Sequence, residues 1–221
     1  MILGMSLSDY LTKYLWTYLL QTLKMVGITL VIALVFGLLL GMVLFLCRKS
    51  KQKPLRILYK VLDFIVGILR SFPFYILIFV LIPVSRIITG DAMSTTGFIV
   101  PLSFAAIPFF AKIIESSLIE VSVGVIEAAQ ALGLSTSQIM IRVVLREALP
   151  SIVNGVSIAT ITLIGYSAMS GAVGAESLGA FAYNYGMISY DIQAMMYAVV
   201  TIVLLVLIVQ GIGNFIYKLV K

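Results

Sequence analysis

The sequence predicts an all-α polytopic membrane protein that crosses the bilayer five times, and three observations carry that expectation. First, 62% of its 221 residues are hydrophobic and only 11% charged, with a mean hydropathy of +1.16, whereas soluble domains are nearer one half apolar. Second, charge-free stretches run over 26–47, 92–111, 151–175 and 192–217, each about the 20 residues a helix needs to cross hydrocarbon. A fifth stretch, 61–85, qualifies if Asp63 and Arg70 are accommodated. Third, the basic residues are distributed unevenly between the connecting segments. The expected spans are about 17–47, 58–86, 96–118, 151–171 and 191–217, within one transmembrane domain covering 1–221, and a polar loop occupies about 119–150.

Ahead of the first span, Leu7, Leu11, Tyr14, Leu15, Tyr18 and Leu19 recur at helical spacing, with Tyr10 and Trp16 among them. This pattern suits an amphipathic helix anchored at the outer interface and running on into the first span. That span is too long for a cleavable signal peptide and has no small-residue cleavage pattern after it. The following linker holds Arg48, Lys49, Lys51, Lys53, Arg56 and Lys60 without an acid, so the positive-inside rule places it in the cytoplasm and the N-terminus outside. Five crossings then bring Lys218 and Lys221 to the cytoplasmic side and leave 172–191 outside, where the only charges are acidic. Topology and anionic headgroups account for the net charge of +6, leaving no basic patch for nucleic acid. Pro54 disfavours helix at the residue before it, so the first crossing should end by about Lys53.

The second span contains Arg70-Ser71-Phe72-Pro73. A guanidinium in an apolar segment must face protein, a cavity or water, or snorkel to the interface. Asp63, seven residues earlier, lies on the same helical face and is the candidate partner of Arg70. Pro73, Pro83, Pro101 and Pro108 each remove a backbone donor and are expected to kink the second and third spans. The fourth span repeats small or polar residues at Asn154, Ser157, Thr160, Ile164, Ser167 and Gly171. Such a stripe faces protein or water, so close helix packing and a pore lining are both open readings. Gly165, Gly171, Gly174 and Gly179 are expected to break the helix into a flexible outer loop around Met169, Glu176 and Tyr183.

The chain has one cysteine, Cys47, and no histidine. This excludes disulfide frameworks, Cys/His zinc sites and histidine-based triads, and no metal or cofactor is expected. Cys47 reads as a small lipid-facing or packing residue, with palmitoylation next to the basic segment as the alternative. No G-x-x-x-x-G-K-[ST] phosphate loop occurs, so nucleotide chemistry would have to come from another subunit. No nucleophile with a base partner occurs within a span, and the chain is not expected to be an enzyme. An ion-coupled secondary transporter of a small solute is the alternative function. Such carriers use intramembrane carboxylates, and here only Asp63 is read as intruding into a span.

The polar loop reads EAAQALGLSTSQIMIRVVLREALPSI from Glu127 onward. Glu127 to Leu132 favours a short helix, ended at Gly133 by a left-handed residue. Ser135-Thr136-Ser137-Gln138 fits a capping box that starts a second helix through about Leu149, with Pro150 at the next junction. Ala128 and Ala129 present almost no side chain, which lets another protein surface approach the backbone. Glu127 is expected to orient this elbow through Arg142 or Arg146. A short rigid helix seated in a partner's groove transmits displacement without doing chemistry.

Glu127-Ala128-Ala129 followed after three residues by Gly133 resembles the EAA loop of ABC importer permeases. Arg146 stands where that pattern has proline, and Leu149-Pro150 follows four residues later. Arg70-Ser71-Phe72-Pro73-Phe74, Ile107-Pro108-Phe109-Phe110-Ala111, Glu147-Ala148-Leu149-Pro150 and the run from Gly165 to Gly174 are similar to the methionine-importer subfamily. With the five-span layout, they extend the resemblance over most of 14–217. The resemblance implies the type I importer permease fold in a bacterial cytoplasmic membrane and a homodimer of this chain. It also implies two copies of a cytoplasmic ATPase subunit and an extracytoplasmic substrate-binding protein. ATPase docking would fall to Glu127, Ala128, Ala129, Gly133 and Leu134. Met169 would form the outer gate, or else serve as an adaptable packing residue, and Tyr166, Ser167, Ser157 and Thr160 would line the path. Alternating access of L- or D-methionine or a derivative is the implied function.

Overall fold

A computed structural model describes residues 14–221, and within them the protein is helical. Leu7, Tyr10 and Leu11 lie outside the described residues, so the proposed interfacial helix is described only from Tyr14 onward. The elements are α1 (Trp16–Lys49), α2 (Lys53–Ser71), α3 (Phe74–Val80), α4 (Ile82–Thr89), α5 (Thr95–Ile119), α6 (Val123–Ala131), α7 (Thr136–Gln138), α8 (Leu145–Ser167), α9 (Leu178–Phe181) and α10 (Ile192–Val220). A π-helical turn, Ile139–Val144, joins α7 to α8, and a tight 3-10 turn, Ala168–Val173, extends α8. Among the described residues four helical rods are long and apolar enough to cross a membrane, and the bent pair α2–α3 passes the same test when its two helices are taken together as one broken span.

The kink expected at Pro73 within the second span, 58–86, is a sharp break. A bend of 99° separates Lys53–Ser71 from Phe74–Val80, and Pro73 stands at the turn with extended backbone (φ −60, ψ 121). Proline lacks the N–H that would continue α2 and disfavours helix at Phe72 before it. Pro83 occupies the first turn of α4, where a missing donor is harmless. Pro101 and Pro108 lie within uninterrupted α5, and Pro150 lies within α8 rather than at a junction. At Pro150 the missing hydrogen bond would have used the carbonyl of Arg146, an exposed residue, where solvent can satisfy it and the rod continues.

The described chain divides into two compact units. One comprises residues up to 32 with 72–106 and 160–209. Its core gathers Leu15, Leu178, Phe181, Ala194 and Ala198 under the rings of Tyr14, Tyr18 and Tyr185. Tyr18 meets Phe181 edge-on at 5.2 Å and Phe181 lies 4.8 Å from Tyr185, a geometry that adds to simple area burial. Thr22 Oγ1 accepts the N–H of Leu178 at 2.9 Å and donates to the Tyr18 carbonyl, pinning the start of α9. The segment expected to be a flexible glycine loop is instead packed. Ser170 and Ser177 are fully buried, Ser170 Oγ lies 2.9 Å from the Ala175 carbonyl and 2.8 Å from Ser177 Oγ, and Ser177 caps α9 by accepting from the Ala180 N–H. Gly165 does not break α8. Gly179 is required for a different reason: a Cβ there would collide with the backbone of Ala168.

The other unit comprises 33–71, 107–159 and 210–221. Phe45, Ile114, Leu118, Val121, Ala129, Ile139, Met140, Val144, Ala148 and Ile152 form its main core. A smaller cluster gathers Leu44, Val66 and Ala111. Cys47 is buried with a free thiol, in line with packing.

Candidate functional site

The elbow of the second unit is built by two local devices that the sequence encodes. At the end of α6, Gly133 adopts φ +77, its N–H donates to the Gln130 carbonyl at 2.9 Å, and the Leu134 N–H donates to the Ala129 carbonyl at 3.3 Å. This is a Schellman turn, closed by Leu134 packing on the same core that buries Ala129. One residue later, the Ser135 N–H donates to Gln138 Oε1 at 2.9 Å and the Gln138 N–H donates to Ser135 Oγ at 3.4 Å, a complete capping box that starts α7. Ile139, Met140, Val144 and Ala148 then seat the π-helical turn and the start of α8 in the core with Ile114 and Leu118. The elbow is therefore fixed to its own unit on one side.

The docking residues inferred from sequence divide between the two faces of α6. Glu127 and Ala128 are exposed, as is Gly133. Ala129 is 5% exposed and faces the core. Thus Ala128 leaves room for an approaching partner, whereas Ala129 is small because α6 lies close to its own bundle. Glu127 is exposed, and among the described residues it forms no ion pair with Arg142 or Arg146. Sequence reasoning missed Leu132, which is 82% exposed beside the Schellman turn. Its place immediately before Gly133 was the available signal.

In the first unit, Met169 lines a cleft of about 380 Å³ with Tyr75, Ala168, Gly171, Ala172 and Tyr183 and is 41% exposed. Tyr166 stacks on Phe74 at 4.5 Å with ring planes 14° apart, and Phe74 meets Phe98 edge-on. Ser167 is buried and donates to the Ile164 carbonyl at 2.7 Å, and Thr160 is buried as well. In the second unit Ser157 donates to the Val153 carbonyl, and Gly213 packs against its side chain. Hydroxyls bonded to their own helix are satisfied without a ligand, so helix packing accounts for Ser157 and Ser167, and Met169 opens on a cleft.

Charges also meet where the sequence reading did not look. Lys112 Nζ lies 2.7 Å from Asp63 Oδ1 and hydrogen-bonds Glu115 one turn along α5. Arg48 reaches Glu115 Oε1 at 3.5 Å and also contacts the Tyr59 hydroxyl. Glu115 is 1% exposed, so a buried carboxylate joins the end of α1, the polar side of α2 and α5. Asp63 is thus not the only intruding carboxylate, nor is it the partner of Arg70. Arg70 is exposed and sits 5.7 Å over the Phe109 ring, within cation–π reach. The i, i+3 spacing of Lys112 and Glu115 directly after an apolar run was the overlooked signal. Among the described residues no His, Cys, Asp and Glu cluster could hold a metal.

Residues 33–221 match the family model described as the binding-protein-dependent transport system inner membrane component. A "Probable D-methionine transport system permease protein MetI" of Vibrio cholerae is 43% identical over 194 residues, covering 88% of this chain and 86% of that protein. A "Methionine import system permease protein MetP" of Bacillus subtilis is 35% identical over 178 residues, covering 80% of each. A solved structure described as inward facing conformations of the MetNI methionine ABC transporter superposes with a TM-score of 0.92 at 39% identity, covering 98% of this chain and all of that one.

Proposed function

The chain belongs to the binding-protein-dependent transport system inner membrane components, and we propose that it is the permease subunit of an ATP-driven importer of methionine or a methionine derivative. As a member of that family it is a multi-pass membrane protein and not an enzyme. Two copies of the chain form the path, two ATPase subunits seat the elbows, and an extracytoplasmic binding protein delivers substrate. The N-terminus is outside and the C-terminus cytoplasmic, which places the basic α1–α2 linker and the elbow on the cytoplasmic side.

The observation that carries the reading is the elbow, in which Glu127, Ala128 and Leu132 face outward while Ala129, Ile139, Met140 and Val144 are locked in the core. A helix that is anchored on one face and vacant on the other passes a partner's displacement into α5 and α8 without deforming. ATP-driven closure of the partner subunits moves both elbows together and opens the path outward, and hydrolysis restores the inward-open state. Met169 and its counterpart in the second copy close the outer end, with Tyr166 held behind them by Phe74. Methionine is favoured by the relatives' substrates. An ion-coupled carrier is disfavoured because Asp63 and Glu115 are already paired with Lys112 and Arg48.

The test is co-reconstitution of the chain in proteoliposomes with its neighbouring ATPase and binding protein. ATPase stimulation is read beside uptake of radiolabelled L-methionine, D-methionine, cystine or glycyl-methionine. Stimulation with uptake of a methionine compound is expected. Stimulation by another ligand alone would discard methionine, and failure to form a complex with the ATPase would remove the importer reading.

A further inference from the structure

Beside the elbow, and not part of its outward face, the second unit holds a groove of about 500 Å³ whose apolar lining is supplied by Phe45, Leu46, Leu55, Ile139, Met140 and Val144. Lys49 stands at its mouth with the ammonium 4.9 Å above the Phe45 ring, and Gln130 of α6 forms part of the wall. The linker that follows Lys49 carries Lys51, Lys53, Arg56 and Lys60 with no acid. Among the described residues none of these cations, nor Lys49, has a carboxylate partner, in contrast to Arg48, which pairs with Glu115.

We propose that this groove binds an anionic phospholipid of the bilayer, with the phosphate held by Lys49 and Lys51 and an acyl chain laid along Phe45, Leu55 and Met140. Charge complementarity commits the site to an anion, and the apolar wall commits that anion to one carrying a hydrocarbon chain. The place in the fold agrees: α1 ends at Lys49, and α2 begins with Lys53 and Arg56 and continues into an exposed apolar stripe of Ile57, Val61, Phe64 and Ile68. That arrangement of cations followed by an apolar face is what a helix presents at a headgroup boundary. Juxtamembrane lysines are attracted to anionic leaflets, but a diffuse attraction needs no groove. Here Lys49 itself lines the chain-sized recess, beside Phe45. Because Ile126 and Gln130 of α6 also line the recess, an occupied site braces the flank of the elbow. The binding itself does not depend on the ATPase-docking reading.

Native mass spectrometry of the full chain, purified from membranes with its co-purifying subunits, tests the site by titration with phosphatidylglycerol, phosphatidylcholine and inorganic phosphate. Phosphatidylglycerol should bind at a discrete stoichiometry, and phosphatidylcholine and phosphate should not compete for it. Lys49→Gln with Lys51→Gln should weaken that binding about thirtyfold, whereas Lys218→Gln with Lys221→Gln, which removes the same charge elsewhere, should leave it within about twofold. Gln130→Trp, which fills the groove from an exposed position and keeps every cation, should weaken it as well. Equal losses from the two lysine pairs would show diffuse attraction and overturn the proposal. Unchanged binding in Gln130→Trp would show that no chain enters the groove, and full competition by phosphate would show a plain anion site; either result also overturns it.

Discussion

Replacing the two alanines of the elbow one at a time should separate docking from folding, because they stand on opposite faces of α6. Ala128 is exposed, so Ala128→Trp introduces an indole into space that only a partner would occupy. Away from buried features, a surface substitution changes stability by no more than about 0.5 kcal/mol. Blocking the centre of a docking face, however, removes about 2 kcal/mol or more of association, roughly thirtyfold in affinity. Ala129 is 5% exposed among Ile139, Val144 and Leu118. Ala129→Leu forces added carbon into that filled space and should cost about 1–3 kcal/mol of stability, which for a chain of this size lowers the thermal midpoint by roughly 2–4 °C per kcal/mol. The assay pairs a thermal-melting curve in detergent with affinity capture of the ATPase subunit and substrate-driven ATPase in proteoliposomes. Ala128→Trp should melt as the parent does and fail to capture the ATPase, whereas Ala129→Leu should melt early. Normal capture and transport by Ala128→Trp would refute the assignment of the outward face.

Glu115→Ala leaves Lys112 without its buried partner, and the loss should be about 3 kcal/mol, the low end for breaking a buried pair, because Arg48 is half in solvent. Thermal melting checks this, and replacing Lys112 and Glu115 together by methionine should recover most of the difference. Gly179→Ala places a methyl against the Ala168 backbone and should displace the turn carrying Met169, abolishing uptake while the ATPase subunit is still captured; uptake at the parent rate would contradict that packing. In a Cys47→Ala background, Met169→Cys should form an oxidative cross-link between two copies of the chain in membranes when the outer end is closed, as read by non-reducing electrophoresis. Its absence under every nucleotide condition would remove Met169 from the two-fold axis.

Much of the elbow was legible because its signals are local. Gly133 with a positive φ and the reciprocal Ser135–Gln138 bonds follow from residues within a few positions of one another, and backbone geometry at a helix end depends on little else. The apolar spans were legible for a similar reason: length and hydropathy alone decide whether a helix suits hydrocarbon. Pro73 marked the kink of the second span, but hydropathy is blind to direction and gave no measure of how sharp the bend would be. The supposed loop after α8 was read as flexible because glycines suggest freedom, whereas Gly179 is a point of close approach and Ser170 and Ser177 hold the turn together.

By itself, then, the sequence determined helical class, the apolar segments, and the two caps that shape the elbow, all properties of short stretches of chain. Tertiary structure alone decided that Ala128 faces out while Ala129 faces in, that Leu132 is left exposed, that Asp63 pairs with Lys112 instead of Arg70, and that Glu115 is buried between Lys112 of its own helix and Arg48 of α1. Those outcomes depend on which helix lies against which face, and contacts between residues as far apart as Arg48 and Glu115 leave no periodicity along the chain from which they could be read.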